Sequence, residues 1–201
     1  MLVKQELIAG QLSAVQEVEL RFCKAPLSIY MLWQRNADGA KRALYKDDPA
    51  FVDEQGNKVA RVEPAGAIVR LLVKDLFMPI HGEQARRACR RSIDECGFGA
   101  SFDLMEHFTE LGRANGVLDV RFAGVGEVDG RPTFVIERYL PYTGEGGVYP
   151  DAKLILHLDR EWLLPVAVEC FADKDGQDLL GRYAFTQVQL NPGLQASDFE
   201  F

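Results

Sequence analysis

The sequence predicts an α+β fold: a single strongly curved antiparallel sheet, an unclosed half-barrel, with two short helices inserted mid-chain covering its concave face. Three observations carry this expectation. Apolar and polar residues alternate with a period of two over most of the chain, which places one apolar row of each strand toward a core. Short turns rich in Gly, Asn and Asp separate these runs, as antiparallel neighbours require. A helical period replaces the alternation only between Pro79 and Val117. A long sheet with one apolar face buries it by curling around such helices.

Taken in order, Val3 to Ala9 alternates and turns at Gly10-Gln11. In the next run Leu12, Ala14, Val18, Leu20 and Phe22 share one face, and Glu17, Glu19 and Arg21 the other. After Pro26, Leu27, Ile29, Met31 and Trp33 share a face, and Ala37-Asp38-Gly39 turns the chain into "AKRALYK". A hairpin with "EQGN" at its turn follows. "HGEQARRACRRSIDECG" then puts Ala85, Ala88, Cys89, Ile93 and Cys96 on one helical stripe, closed by Gly97. A second helix starts at a Ser101 cap and carries Phe102, Leu104, Met105, Phe108 and Leu111. Strands return from Val117 to the end, through the Gly-rich loop "YTGEGGVYP". The closing strand, with Tyr183 and Phe185 on one face, is stopped by Asn191-Pro192-Gly193 and docks on the sheet edge. The expected core is Leu20, Phe22, Ile29, Met31, Leu118, Val120, Phe122, Ile136, Leu154, Leu156, Val168, Tyr183 and Phe185.

The chain has 201 residues, enough for one domain with a real core over 1–201, and a net charge of −7. That charge argues against a nucleic-acid binder relying on a general positive field. The longest apolar runs, such as Ala67 to Val73, fall far short of the roughly 18 residues of a membrane span. Met1 leads directly into "LVKQELIAGQ", with Lys4 and Glu6, so the expected location is periplasmic if an export signal was trimmed from the start, and otherwise cytoplasmic. Cys89 and Cys96 are about 10 Å apart along a helix, too far to bridge. Cys23 and Cys170 pair only if their strands are neighbours. With no CxxC and scattered histidines, neither a metal nor a cofactor is expected.

"GEVDGRPTFVIERYLP", "AKLILHLDREWLLPVAVECF" and "RYAFTQVQLNPGLQASDFEF", together with "VKQELIAGQLSAVQEVELRFCKAPLSIYMLW", resemble an uncharacterised bacterial domain-of-unknown-function family. That family is related in fold to the Lol-type lipoprotein carrier and receptor proteins and to the sensor domain of sigma-factor regulators. The resemblance covers most of the chain. It implies a lipoprotein-carrier-like half-barrel whose relatives hold acyl chains. It departs from those relatives in lacking an export signal and an N-terminal helix before the "KQE" strand.

For the candidate site, an apolar cavity between helix and sheet would be lined by Phe102, Met105, Phe108, Leu154 and Leu156, with Arg21 as a polar contact. Plain core packing is the competing reading. Arg86, Arg87, Arg90 and Arg91 form either a patch for acidic head groups or partners, or a solvated helix face beside Glu83, Asp94 and Glu95. His81, His107 and His157 have no ligand or triad spacing and default to surface histidines. Glu137, Asp159 and Glu169 on successive late strands would suit a hydrolase only if two converge, and outward carboxylates on a sheet more often serve solvation. The expected function is therefore non-catalytic binding of a hydrophobic small molecule or acylated protein, with peripheral membrane contact, no transmembrane segment and no nucleic acid. The alternatives are an interaction or sensor domain with a closed core, and last a hydrolase.

Overall fold

The structure, a computed structural model, describes residues 1–66, 76–144 and 146–201. The apolar run from 67 to 73 and Glu145 of the Gly-rich loop lie outside them. The described residues contain twelve strands: β1 (Leu2–Ile8), β2 (Gln11–Leu12), β3 (Gln16–Lys24), β4 (Leu27–Arg35), β5 (Ala40–Lys46), β6 (Val59–Pro64), β7 (Leu76–Pro79), β8 (Asp119–Val128), β9 (Arg131–Tyr139), β10 (Lys153–Asp159), β11 (Pro165–Phe171) and β12 (Leu179–Phe185). Helices α1 (Glu83–Ala88) and α2 (Phe98–Ala114) separate β7 from β8. Two compact units result. One comprises Met1–Leu2, Ile8–Cys96 and Val188–Phe201; the other comprises Val3–Leu7 and Gly97–Gln187.

In the first unit β3 to β7 pair antiparallel in sequence order. Leu20 lies opposite Met31, and Phe22 opposite Ile29. β4 is buried on both faces: Ile29, Met31 and Trp33 on the side that alternation assigns to the core, and Ser28 and Tyr30 on the other. The second side is filled by Tyr30, Leu44, Phe51, Val59 and Phe199. Asp48 accepts from the Ala50 N–H and so shapes the short 3₁₀ turn that delivers Phe51. Phe199 arrives from the terminal "SDF", and Phe201 meets Tyr30 edge-on, with ring centroids 6.0 Å apart. The terminal motif is thus an aromatic plug for this core.

In the second unit the strand order is β1-β12-β11-β10-β9-β8, antiparallel from β12 to β8. α2 lies against it. Gly112 is buried in α2, and a Cβ there would fall 2.5 Å from Leu140 Cδ2, so glycine permits the approach of helix to sheet. At the other end of α2, Phe98 packs on Phe185 with centroids 4.8 Å apart.

Several expectations are corrected. The strongly curved half-barrel is not observed; among the described residues the pairing is open, ending at β7 in one unit and at β8 in the other. Alternation reports which face of a strand is apolar, whereas curvature comes from bulges and glycine kinks that alternation does not encode. Nor do two short helices cover a concave face. α1 is only six residues long and belongs to the first unit, while α2 has seventeen. The stripe from Ala85 to Cys96 is broken, since Cys89 is extended and a new 3₁₀ turn begins after Ser92, whose N–H donates to the Glu95 carboxylate. α2 begins at Phe98 rather than at Ser101, whose hydroxyl instead donates back to the Gly97 carbonyl. Val120 and Phe122, expected in the core, are exposed. β11 pairs with β10 and β12 and not with β3, so Cys170 and Cys23 do not lie on neighbouring strands.

Candidate functional site

Register fixes which side chains of the second unit share a face. Arg138 lies opposite Val120 on one side and Leu154 on the other, Ile136 opposite Phe122 and Leu156, and Phe134 opposite Val125 and Leu158. Phe122 and Val125 are three apart and would normally face opposite ways. A register shift between Phe122 and Gly124, with Gly124 at φ 110°, restores both to one face. This face has two ends of different character.

One end lies under α2. Arg138 is only 4% exposed, and its Nη2 donates to both carboxylate oxygens of Asp151, 3.0 and 3.2 Å away, while Asp151 itself is 1% exposed. Its Nη1 donates to the Met105 carbonyl at 3.3 Å, and the Phe108 ring centroid lies 6.0 Å from its Cζ. Nε has no hydrogen-bond partner among the described residues. Asp151 is delivered by a loop closed by the Leu140 N–H to Ala152 carbonyl bond and the Thr143 N–H to Tyr149 carbonyl bond. Asn115, capping α2, donates to the Tyr149 hydroxyl at 2.8 Å. Below α2, Met105 packs against Leu154, Cys170 and Leu180, with Leu156 and Val168 beside them.

The other end is open, as is the outer edge along β8 back to Val120 beside Arg138. Val120, Phe122 and Val125 are 48%, 66% and 67% exposed, backed by half-buried Phe134, Ile136, Leu156 and Leu158. Phe122 and Phe134 stand edge to face at 6.2 Å, and the Arg160 guanidinium lies 5.2 Å above Phe134. An apolar row this exposed on an end strand marks a contact surface more often than a chance exposure.

The opposite face is an ion-paired surface. Glu137 accepts from Tyr139 and pairs with Lys153, which together hold its carboxyl below the usual range. Glu169 pairs with Arg182. Asp159, fully buried, accepts from Arg131 and from the Trp162 and Glu161 N–H groups, and its pKa is lowered to about 2 despite the opposing cost of burial. Each acid is thus committed to a cation rather than to a second acid. His157 is half-buried against Thr133, and burial pushes its pKa down. No group of three or more potential metal ligands occurs among the described residues.

Of the residues that the sequence singles out, Met105, Leu154 and Leu156 come together, and Phe108 joins them through Arg138. Phe102 is exposed on α2. Arg21 lies in the first unit, where it donates to Glu19 and to the Asp198 carbonyl, pairs with the Asp198 carboxylate and covers Tyr30. It secures the aromatic plug. Arg86 and Arg87 are exposed on α1, with Arg87 paired to Glu83, whereas Arg90 and Arg91 lie beyond the helix end. The Arg138–Asp151 pair is absent from the sequence reading, although one signal was present: Arg138 occupies the apolar parity of Phe134 and Ile136.

The family profile for the protein of unknown function DUF1571 matches residues 1–201. The chain belongs to this family. No curated protein matches it. Among solved structures, MucB is similar with a TM-score of 0.52 at 18% identity over 100% of this chain and 55% of MucB. The Pseudomonas aeruginosa MucA/MucB complex gives 0.50 at 19% identity over 100% and 53%. A LolA superfamily protein from Nitrosomonas europaea gives 0.30 at 9% identity over 89% and 64%. The DUF1571 chain spans about half the length of MucB. At 18–19% identity the likeness to MucB speaks for the fold alone. Membership of a domain-of-unknown-function family, expected from the late-strand motifs, is borne out over the whole chain.

Proposed function

We propose that this DUF1571 chain binds, without catalysis, an acyl chain of a lipid or lipid-modified protein in bacterial envelope lipid or lipoprotein handling. The observation that carries the reading is the open apolar face on β8 to β10, with Phe122 and Val125 two-thirds exposed. An acyl chain laid across this face would cover Phe122, Val125, Ile136 and Leu156 at about 25 cal/mol per Å² of apolar surface removed from water. Phe102 offers further apolar surface on α2. Met105, Phe108 and Leu154 would join only for a ligand that displaces the helix. Arg86, Arg87, Arg90 and Arg91 are candidates for acidic head groups. No helix among the described residues is long and apolar enough to cross a membrane, which fits peripheral contact and says nothing of a β-barrel.

The test is titration of delipidated protein with a fluorescent fatty-acid probe, with mass spectrometry of a denatured sample for copurified lipid. Saturable binding is expected, lost in Phe122→Asp at unchanged circular dichroism. Arg87→Ala should weaken only anionic lipids. Absence of both probe binding and copurified lipid would reject the reading.

A second reading, an interaction domain, is supported by the occurrence of MucB in a complex with MucA. It predicts capture of a protein partner by a chain that binds no probe.

A further inference from the structure

We propose that the open face of the second unit is also a self-complementary interface, on which a second copy of this chain packs face to face about a two-fold axis when no ligand covers it. The occupant follows from the charges that border the apolar row. Beyond the bulge, Glu127 lies two residues after Val125 on the same side of β8 and opposite Pro132. Arg160 donates its N–H to the Pro132 carbonyl, and its guanidinium covers Phe134 of the same face. One acid and one base thus stand at the same border. Both are exposed, and neither has an ion-pair partner among the described residues.

A two-fold interface sets residue i of one copy against j of the other, and j against i. With the axis along β9 it would set Glu127 of each copy against Arg160 of its mate, twice, and lay Phe122 and Val125 of one copy against Leu156 and Leu158 of the other. An acidic partner would leave Glu127 opposed, and a basic one Arg160. A second copy satisfies both. Edge-to-edge pairing through β8 is disfavoured, because the bulge at Gly124 interrupts the hydrogen-bonding row and reverses the parity of side chains across it.

The inference needs only the face, not its use for lipid. Sedimentation velocity of the delipidated chain over a concentration series should show a reversible dimer, absent in Phe122→Asp. Glu127→Arg and Arg160→Glu should each raise the dimer dissociation constant about tenfold by setting like charges together. The double reversal should bring it back to within a few-fold of the wild type. A wild type that stays monomeric up to its solubility limit overturns the inference, as does a dimer indifferent to both reversals. A monomer that binds the fatty-acid probe leaves the lipid reading standing alone, and a dimer whose face binds no probe leaves the dimer alone.

Discussion

The two ends of the β8 to β10 face are built from the same strands in the same register, yet one hides an arginine and the other displays a phenylalanine. Under α2, Arg138 and Asp151 are almost wholly removed from water. Four residues back along β9, Phe134 is flanked by exposed Val125 and Phe122. Strand composition does not make the difference. It comes from α2, whose Gly112 allows close approach at Leu140 and whose Met105 carbonyl takes one of the Arg138 donors. A charged side chain is tolerated where a helix and a loop supply its partners, and an apolar row stays bare where neither reaches.

The largest effect should come from breaking the buried pair. Asp151→Ala leaves the Arg138 guanidinium buried beside the Met105 carbonyl without its counter-charge, and should cost about 3–5 kcal/mol in denaturant unfolding. The double change Arg138→Met with Asp151→Leu removes both charges and should recover most of that loss. If Asp151→Ala costs less than about 1 kcal/mol, α2 does not hold this end closed and the contrast between the two ends fails.

A second buried carboxylate sharpens the contrast because its cation is only half-covered. Asp159 is fully buried, but Arg131 lies partly in water over Trp162. The pKa of Asp159 is lowered to about 2 from 3.8, so its contribution is complete above about pH 4 and is lost as the pH falls through about 2. Arg131→Ala should raise that pKa toward the ordinary value and move the acid-unfolding midpoint upward. The Glu161 and Trp162 N–H donors remain, so stability at neutral pH should change less than in Asp151→Ala. An acid-unfolding profile read by circular dichroism decides it. An unchanged midpoint would mean that the backbone donors alone hold the carboxylate.

The same contrast shows what the sequence carries. Alternation located most of the strands and the turn at Asp38-Gly39, and the parity of Ile29 and Met31 was right because both lie on regularly paired β4. The closing strand, however, ends at Phe185, short of Leu190, and lies between β1 and β11 rather than at a sheet edge. Alternation failed at Val120 and Phe122, where the parity is right but nothing covers the face. Coverage depends on where α2 ends and which loop returns beneath it, neither of which is local to β8. The second buried side of β4 escaped notice because Phe199 fills it from more than 150 residues away in sequence, beyond the turn at Asn191-Pro192-Gly193. Met105, Leu154 and Leu156 pack in one cluster, as a broad helical stripe facing an alternating strand leaves few other arrangements. Arg138 was legible in principle as a charge in an apolar row.

The smallest effect on stability belongs to the bare end. Phe122→Ala removes a side chain that is two-thirds in water and touches chiefly Phe134, so unfolding free energy should stay within about 0.5 kcal/mol of wild type. Leu154→Ala, which empties a site packed by Met105 and Cys170, should cost about 2–5 kcal/mol on the same strands. Phe122→Ala deletes six carbons and Leu154→Ala only three from one face, so a larger cost for the smaller deletion isolates coverage by α2. Ligand or partner affinity should invert the order: Phe122→Ala should lose probe binding or self-association while remaining as stable as the parent. If Phe122→Ala instead unfolds the unit, the row from Val120 to Val125 belongs to the core. The open face would then be no contact surface at all.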